Sequence, residues 1–264
     1  MTQEERRKYL IEYLLNEDER LSTRQIPSGR TEQEILLRSL MNIRPPKPVS
    51  AEFLKIQDEY LKQRNSERGI TDVETLQPVA SDPRLFVWQG DITTLKCDAI
   101  VNACNSQMLG CFAPMHLCID NAIHTYAGVQ LRFKMNEIMT AQEHEEETGR
   151  AKITSGFNLP AKYVLHTVGP IVYGKVTKKD EFFLARCYKE CLKLASENDV
   201  HSIVFCCLST GVFCFPKQRA AEIAVQTVKN FLSENPASPV KKVVFNVFKD
   251  DDLEIYKNLL YNYN

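Results

Sequence analysis

Apolar residues in the first 79 positions fall at helical intervals. They form three sets: Leu10, Ile11, Leu14 and Leu15; Ile35, Leu36, Leu37 and Leu40; and Phe53, Leu54, Ile56, Tyr60 and Leu61. Each set follows a start signal. Thr2-Gln-Glu-Glu5 and Thr31-Glu-Gln-Glu34 have the form of capping boxes, in which a hydroxyl and a carboxylate satisfy the free N–H groups of a first turn. Ser50 can cap the third helix. Arg44-Pro-Pro-Lys-Pro48 stops the second, because proline lacks a donor and crowds the preceding turn. These stripes need a covering surface, so residues 1–79 are expected to pack as a helical extension on the remainder of the chain. The block holds no cysteine or histidine and reads as a structural or partner-binding element.

From about residue 84 the pattern changes to short apolar blocks alternating with helical stretches. Residues 84–88, 98–102, 152–157, 163–168 and 242–248 read as strands, and Ser202-Ile-Val-Phe-Cys-Cys-Leu208 as a strand buried on both faces. Helices are predicted over 119–142, 181–197 and 216–232, where Pro216 suits a first position. A last helix begins at Asp250-Asp-Asp, acids that complement its dipole. Residues 80–264 are therefore expected to form an α/β/α sandwich around a mixed, mostly parallel sheet. Ligands in such folds bind at loops beyond the carboxyl ends of the strands.

Composition narrows the function. The chain has 264 residues, 33 Lys+Arg against 34 Asp+Glu, and a net charge of −1. That balance leaves no electrostatic footprint for nucleic acid. No apolar stretch approaches the ~18 residues of a membrane span. The opening MTQEERRKYL lacks the apolar core of a secretory signal. With 9 cysteines, an odd number, a reducing cytoplasm is expected, with cysteines buried, metal-bound or catalytic. Glycine, at 10 residues, falls below the usual ~7%, which is unusual for a chain that cradles phosphates on glycine-rich loops.

Three post-strand loops carry candidate chemistry. In Gly90-Asp91-Ile92-Thr93, an aspartate can accept from an exocyclic amine while neighbouring N–H groups face phosphate. The second loop runs from Asn102 to Asp120 and contains Cys111-x4-His116-x-Cys118, two thiols and an imidazole within eight residues. Zn²⁺ takes S and N ligands, and three of them leave a fourth position open, the pattern of a catalytic site. Cys104 could replace one of the three. The third loop, Ser209-Thr210-Gly211-Val212-Phe213, precedes a helix and can present consecutive N–H groups to a pyrophosphate. His166, on a strand, reads as a core histidine, and His124 as a packing residue. No G-x-S-x-G elbow or Walker loop is present.

Together, Gly-Asp-Ile-Thr (90–93), Asp-Ala-Ile-Val-Asn-Ala-Cys-Asn (98–105), Ile-Asp-Asn-Ala-Ile-His (119–124), Val-Leu-His-Thr-Val-Gly-Pro (164–170) and Leu-Ser-Thr-Gly-Val-Phe (208–213) resemble the macrodomain family, which binds ADP-ribose. The resemblance covers roughly residues 84–264. Where common macrodomains have a run of glycines, this chain has Leu109-Gly-Cys-Phe-Ala-Pro-Met-His-Leu-Cys118, which is similar to a bacterial zinc-dependent subgroup of ADP-ribosyl hydrolases. It implies that Asp91 receives the adenine amine, Ile92 faces the diphosphate through its backbone, and Phe248 stacks on adenine. Ser209, Thr210, Gly211 and Val212 would cradle the phosphates, with Phe213 against the distal ribose. Asn105 would hold the distal ribose hydroxyls, Ile119 and Asp120 would line the catalytic end, and Asn102 would tie down the loop. Cys111, His116 and Cys118 would hold Zn²⁺.

The implied activity is removal of ADP-ribose from mono-ADP-ribosylated protein, at an ester to Asp or Glu, by a monomer with Asn105 and Asp120 in catalytic roles. A non-catalytic ADP-ribose reader and an O-acetyl-ADP-ribose deacetylase are the alternatives that use the same pocket. Gly90 and Gly211 are expected where phosphate contacts need close backbone approach.

Overall fold

A computed structural model describes residues 1–261. Three helices come first, α1 (Gln3–Asn16), α2 (Arg30–Ile43) and α3 (Ala51–Glu67). Their stripes meet in a core of their own built on Leu10, Ile11, Leu36, Leu40, Phe53 and Tyr60, which Val129 of the remaining chain also joins. The box at Thr2 and Glu5 forms as expected, and the Ser50 hydroxyl accepts from the Phe53 N–H. The second box does not form. Gly29 is the N-cap of α2 and has no side chain to offer, so Thr31 lies inside the helix.

The larger core is built on a six-stranded sheet in the order β2-β8-β7-β4-β6-β5. The strands are β2 (Leu85–Gln89), β4 (Ala99–Cys104), β5 (Ala151–Ser155), β6 (Tyr163–Val168), β7 (Ser202–Phe205) and β8 (Lys242–Val247). All neighbours are parallel except β5 with β6. A separate parallel pair joins β1 (Thr71–Asp72) to β3 (Leu95–Lys96). Strand β7 is buried at every position, as expected of a central parallel strand covered on both faces. It ends at Phe205, and Cys206–Leu208 already belong to the loop.

Helices α6 (Lys178–Glu197), α7 (Lys217–Glu234) and α8 (Asp250–Tyr261) pack side by side as one layer. Helices α4 (Ile119–Ala127) and α5 (Val129–Gln142) form the other and carry the N-terminal block, through α2 and α3 against α4. The single helix predicted over 119–142 is thus two. Gly128 breaks it at φ 101°, a backbone conformation that residues with a side chain rarely adopt. Among the described residues no helix is long and apolar enough to cross a membrane.

Candidate active site

Parallel strands send their carboxyl ends to one edge of the sheet, and the three candidate loops follow β2, β7 and β4. The strand order therefore sets their sequence in space. Asp91 after β2 and Phe248 after β8 share one end, the loop of Ser209 to Phe213 lies in the middle, and the long loop after β4 lies beyond it. The topology alone sets the three loops side by side along one edge of the sheet.

At the first end, Asp91 Oδ1 accepts from the Thr93 N–H at 2.9 Å and from the Thr93 hydroxyl at 2.6 Å, which starts a short 3₁₀ turn over Ile92–Thr94. Its Oδ2 pairs with Arg68, which comes from the end of α3. The Arg68 guanidinium also donates to Thr93 Oγ1 and lies 3.5 Å over the Tyr126 ring. Nothing local in the sequence pointed to Arg68. Ile92 is buried, and Phe248 is 72% exposed. At Gly90 the Trp88 ring would lie 2.3 Å from a Cβ, so a side chain there would have to displace the ring. Gly211 faces open space.

In the middle, the loop after β7 is held by its own backbone. The Phe215 N–H donates to Ser209 O at 2.9 Å, and the Cys214 N–H to Gly211 O at 3.0 Å. Ser209 adopts φ 62°, and its buried hydroxyl sits where a side chain at Gly169 would be, 2.1 Å from that Cβ position. The Val172 N–H donates to Phe213 O at 2.9 Å, so the loop after β6 forms one wall. Thr210 is half-buried, while Val212 is 70% exposed.

The far end begins at Asn105, whose Oδ1 accepts from the N–H groups of Gln107 and Met108 at 3.1 and 3.2 Å, leaving the amide nitrogen for a ligand. The chain then turns through Gly110 to Cys111, His116 and Cys118, whose ligand atoms all lie within 4.8 Å of one another. Cys111 Sγ and His116 Nδ1 are 3.6 Å apart. A tetrahedral ion bonded at about 2.0–2.3 Å to N and S needs its ligands roughly 3.5–3.8 Å apart. Small side-chain rotations close the difference, so the residues fit zinc. Burial pushes the Cys118 thiol up to about 12, and a cation would ionise it by displacing that proton. Cys104 is not part of the group: it is buried in β4 with its thiol donating to Thr167 O at 3.3 Å.

Cys118 is also the N-cap of α4, its sulfur accepting from the Asn121 N–H at 3.4 Å. The helix start therefore places Ile119, half-buried, and Asp120, buried, directly after Cys118. Asp120 Oδ1 accepts from Asn102 Nδ2 at 2.7 Å, so Asn102 ties the helix start to β4. Burial is the main cause that pushes Asp120 up to about 6. His166 lies on the far side of Asn102, its Nε2 2.9 Å from the Thr154 hydroxyl, and burial drops it to about 3. It is a buried, hydrogen-bonded histidine. His124 is buried as well, 3.5 Å from Asp120, and neither ring nitrogen finds a hydrogen-bond partner.

A mostly parallel sheet whose carboxyl edge carries these loops, joined to an Asn-Ala-Cys-Asn strand end, defines a macrodomain. The chain belongs to the macrodomain family: the family model described as Macro domain matches residues 101–224. It is 57% identical over 262 residues to a protein of Treponema medium named protein-ADP-ribose hydrolase, covering 98% of this chain and 100% of that one. A Staphylococcus aureus protein of the same name is 50% identical over 252 residues, 94% of this chain and 93% of its own. A Trypanosoma brucei macrodomain solved in complex with ADP-ribose superposes with a TM-score of 0.64 at 30% identity, covering 88% of this chain and 96% of that one.

Proposed function

We propose that this protein is a zinc-dependent hydrolase that removes ADP-ribose from modified protein side chains. One observation carries the reading: Cys111, His116 and Cys118 bring their ligand atoms within 4.8 Å of one another on the loop that runs from Asn105, just after β4, to Asp120 at the start of α4. Its near-full-length relatives bear the name protein-ADP-ribose hydrolase, which supports the same activity here.

In this reading Asp91 and Phe248 hold the adenine, the Ile92 backbone and the loop of Ser209, Thr210, Gly211 and Val212 hold the diphosphate, and Phe213 packs on the distal ribose. Asn105 fixes that ribose through its free amide nitrogen, and Ile119 limits the space around it. Asp120 orients the attacking water through its second carboxylate oxygen. Cys111, His116 and Cys118 would hold the zinc, which would supply a Lewis acid for the reaction. The water oxygen adds to C1″ of the distal ribose as the bond to the acceptor breaks, and the acceptor leaves with a proton. An ester to Asp or Glu is the proposed linkage, because a carboxylate is a stable leaving group. The nine cysteines are all free thiols, which suits a reducing cytoplasm, and the enzyme is proposed to act there as a monomer.

The test compares the full chain with Cys118→Ser for zinc content and for release of ADP-ribose from a protein modified at Asp or Glu. Wild type is expected to carry one zinc and release ADP-ribose. The variant should lose both while keeping its circular dichroism. Equal rates in wild type and zinc-free variant would sink the proposal, and binding of ADP-ribose without any release would mark a reader.

A further inference from the structure

The Cys-His-Cys loop is tied to the N-terminal block at three points, and all three anchors belong to or reach α2. The first is Arg132 of α5. It stands at the position of an apolar stripe, between Val129 and Met135, and is itself buried. Its Nη1 donates to the carbonyls of Met41, Asn42 and Arg44 at 3.2, 2.8 and 2.6 Å, the last carbonyls of α2 that no turn satisfies. Its Nε donates to Leu109 O at 2.7 Å and its Nη2 to Cys111 O at 3.3 Å, while the guanidinium lies 4.2 Å over the Phe112 ring. One planar cation thus joins the negative end of a helix to the backbone of the first metal-ligand candidate.

The second anchor is Asn42. Its Oδ1 accepts from the Met115 N–H at 3.0 Å, and its Nδ2 donates to Thr125 Oγ1 at 3.0 Å. Met115 needs such an anchor, since a non-glycine residue at φ 58° is held there only by its surroundings. The third is Arg38, whose Nη2 donates to His116 O at 3.2 Å and to Asn121 Oδ1 at 2.9 Å. Asn121 in turn donates to Ala113 O at 2.9 Å and points its N–H at Cys118 Sγ. The carbonyls of Cys111 and His116 are therefore held from outside the loop, and Cys118 is reached through Asn121, whose side chain Arg38 bonds.

We infer that α2, acting through Arg38, Asn42 and Arg132, holds the loop in its coordinating shape before the metal arrives. The inference rests on the zinc-dependent function proposed for this site. Arg38, Asn42 and Arg132 are then positioning residues, and the N-terminal block is part of the metal site rather than a separable accessory.

The test uses the full chain stripped of metal and titrated with Co²⁺, followed by its thiolate absorption and by competition with a chelator. Partners that orient ligands from outside are worth roughly 10- to 100-fold in metal affinity, so Arg38→Ala should weaken Co²⁺ binding by that factor. The melting temperature of the metal-free protein and its affinity for ADP-ribose should stay at wild-type values. Arg132→Lys should weaken binding further, because an ammonium cannot reach both helix and loop. If Arg132→Lys fails to fold, Arg38→Ala alone decides. Wild-type Co²⁺ affinity in the variants overturns this inference and leaves the zinc reading standing. A wild type without thiolate–cobalt absorption overturns both.

Discussion

Gly110 shows how one residue shapes the metal loop. Its φ of 82° suits glycine, and the His124 ring would sit 2.8 Å from a Cβ placed there. The histidine fills the space beneath the turn, so Gly110→Ala is expected to cost about 1–3 kcal/mol of stability in denaturant melts, combining left-handed backbone with displaced packing. A change within experimental error would mean the turn adapts freely. His166 gives a pH signature. It faces Asn102, Thr154 and, at 6.3 Å between ring centres, His124. Its pKa is about 3 in the folded protein against an ordinary 6.5. The folded value is the lower one, so below pH 6.5 the unfolded chain takes up a proton that the fold refuses. The stability tied to neutral His166 is therefore complete above pH 6.5 and is lost as pH falls toward 3, at up to ~1.4 kcal/mol per unit. His166→Gln should flatten that acid slope, and an unchanged slope would show that the proton goes elsewhere.

Among the elements, α3 reaches the cleft through Arg68. Replacing it with alanine removes the pair to Asp91, the bond to Thr93 and the stack on Tyr126. The side chains of the ion pair are 14% and 36% exposed, which discounts the charge pairing, yet the Thr93 bond and the ring remain. Arg68→Ala should therefore lower stability by about 1–2 kcal/mol and loosen the block to limited proteolysis. A loss under about 0.5 kcal/mol would reduce it to a surface pair. Most elements were legible because their apolar spacing matches their burial: Leu10 to Leu15 line α1, and Ser202 to Phe205 are buried throughout β7. Boundaries failed where backbone rather than pattern decides, at Gly128, which splits one helix into two, and at Gly29, which caps α2 in place of the Thr31 box. The Cys111, His116 and Cys118 group was readable because its members lie within eight residues of sequence. Arg38, Asn42 and Arg68 were not, since their partners lie 23 to 83 residues away. Arg132 left one trace, a cation on an apolar stripe.

For the whole molecule, strand order does the arranging. Neighbouring parallel strands place Asp91, Phe248, the Ser209 loop and Asn105 along one edge, and the β4 loop extends that line to the thiols. The N-terminal helices then close on both ends, through Arg68 at Asp91 and through α2 at the metal loop. In the proposed function, a metal held by Cys111, His116 and Cys118 is needed for turnover. The most direct measurement is the rate of ADP-ribose release as metal-free protein is titrated with zinc. The rate should rise in proportion to added zinc and level off at one equivalent. Full activity before any zinc is added would contradict the account.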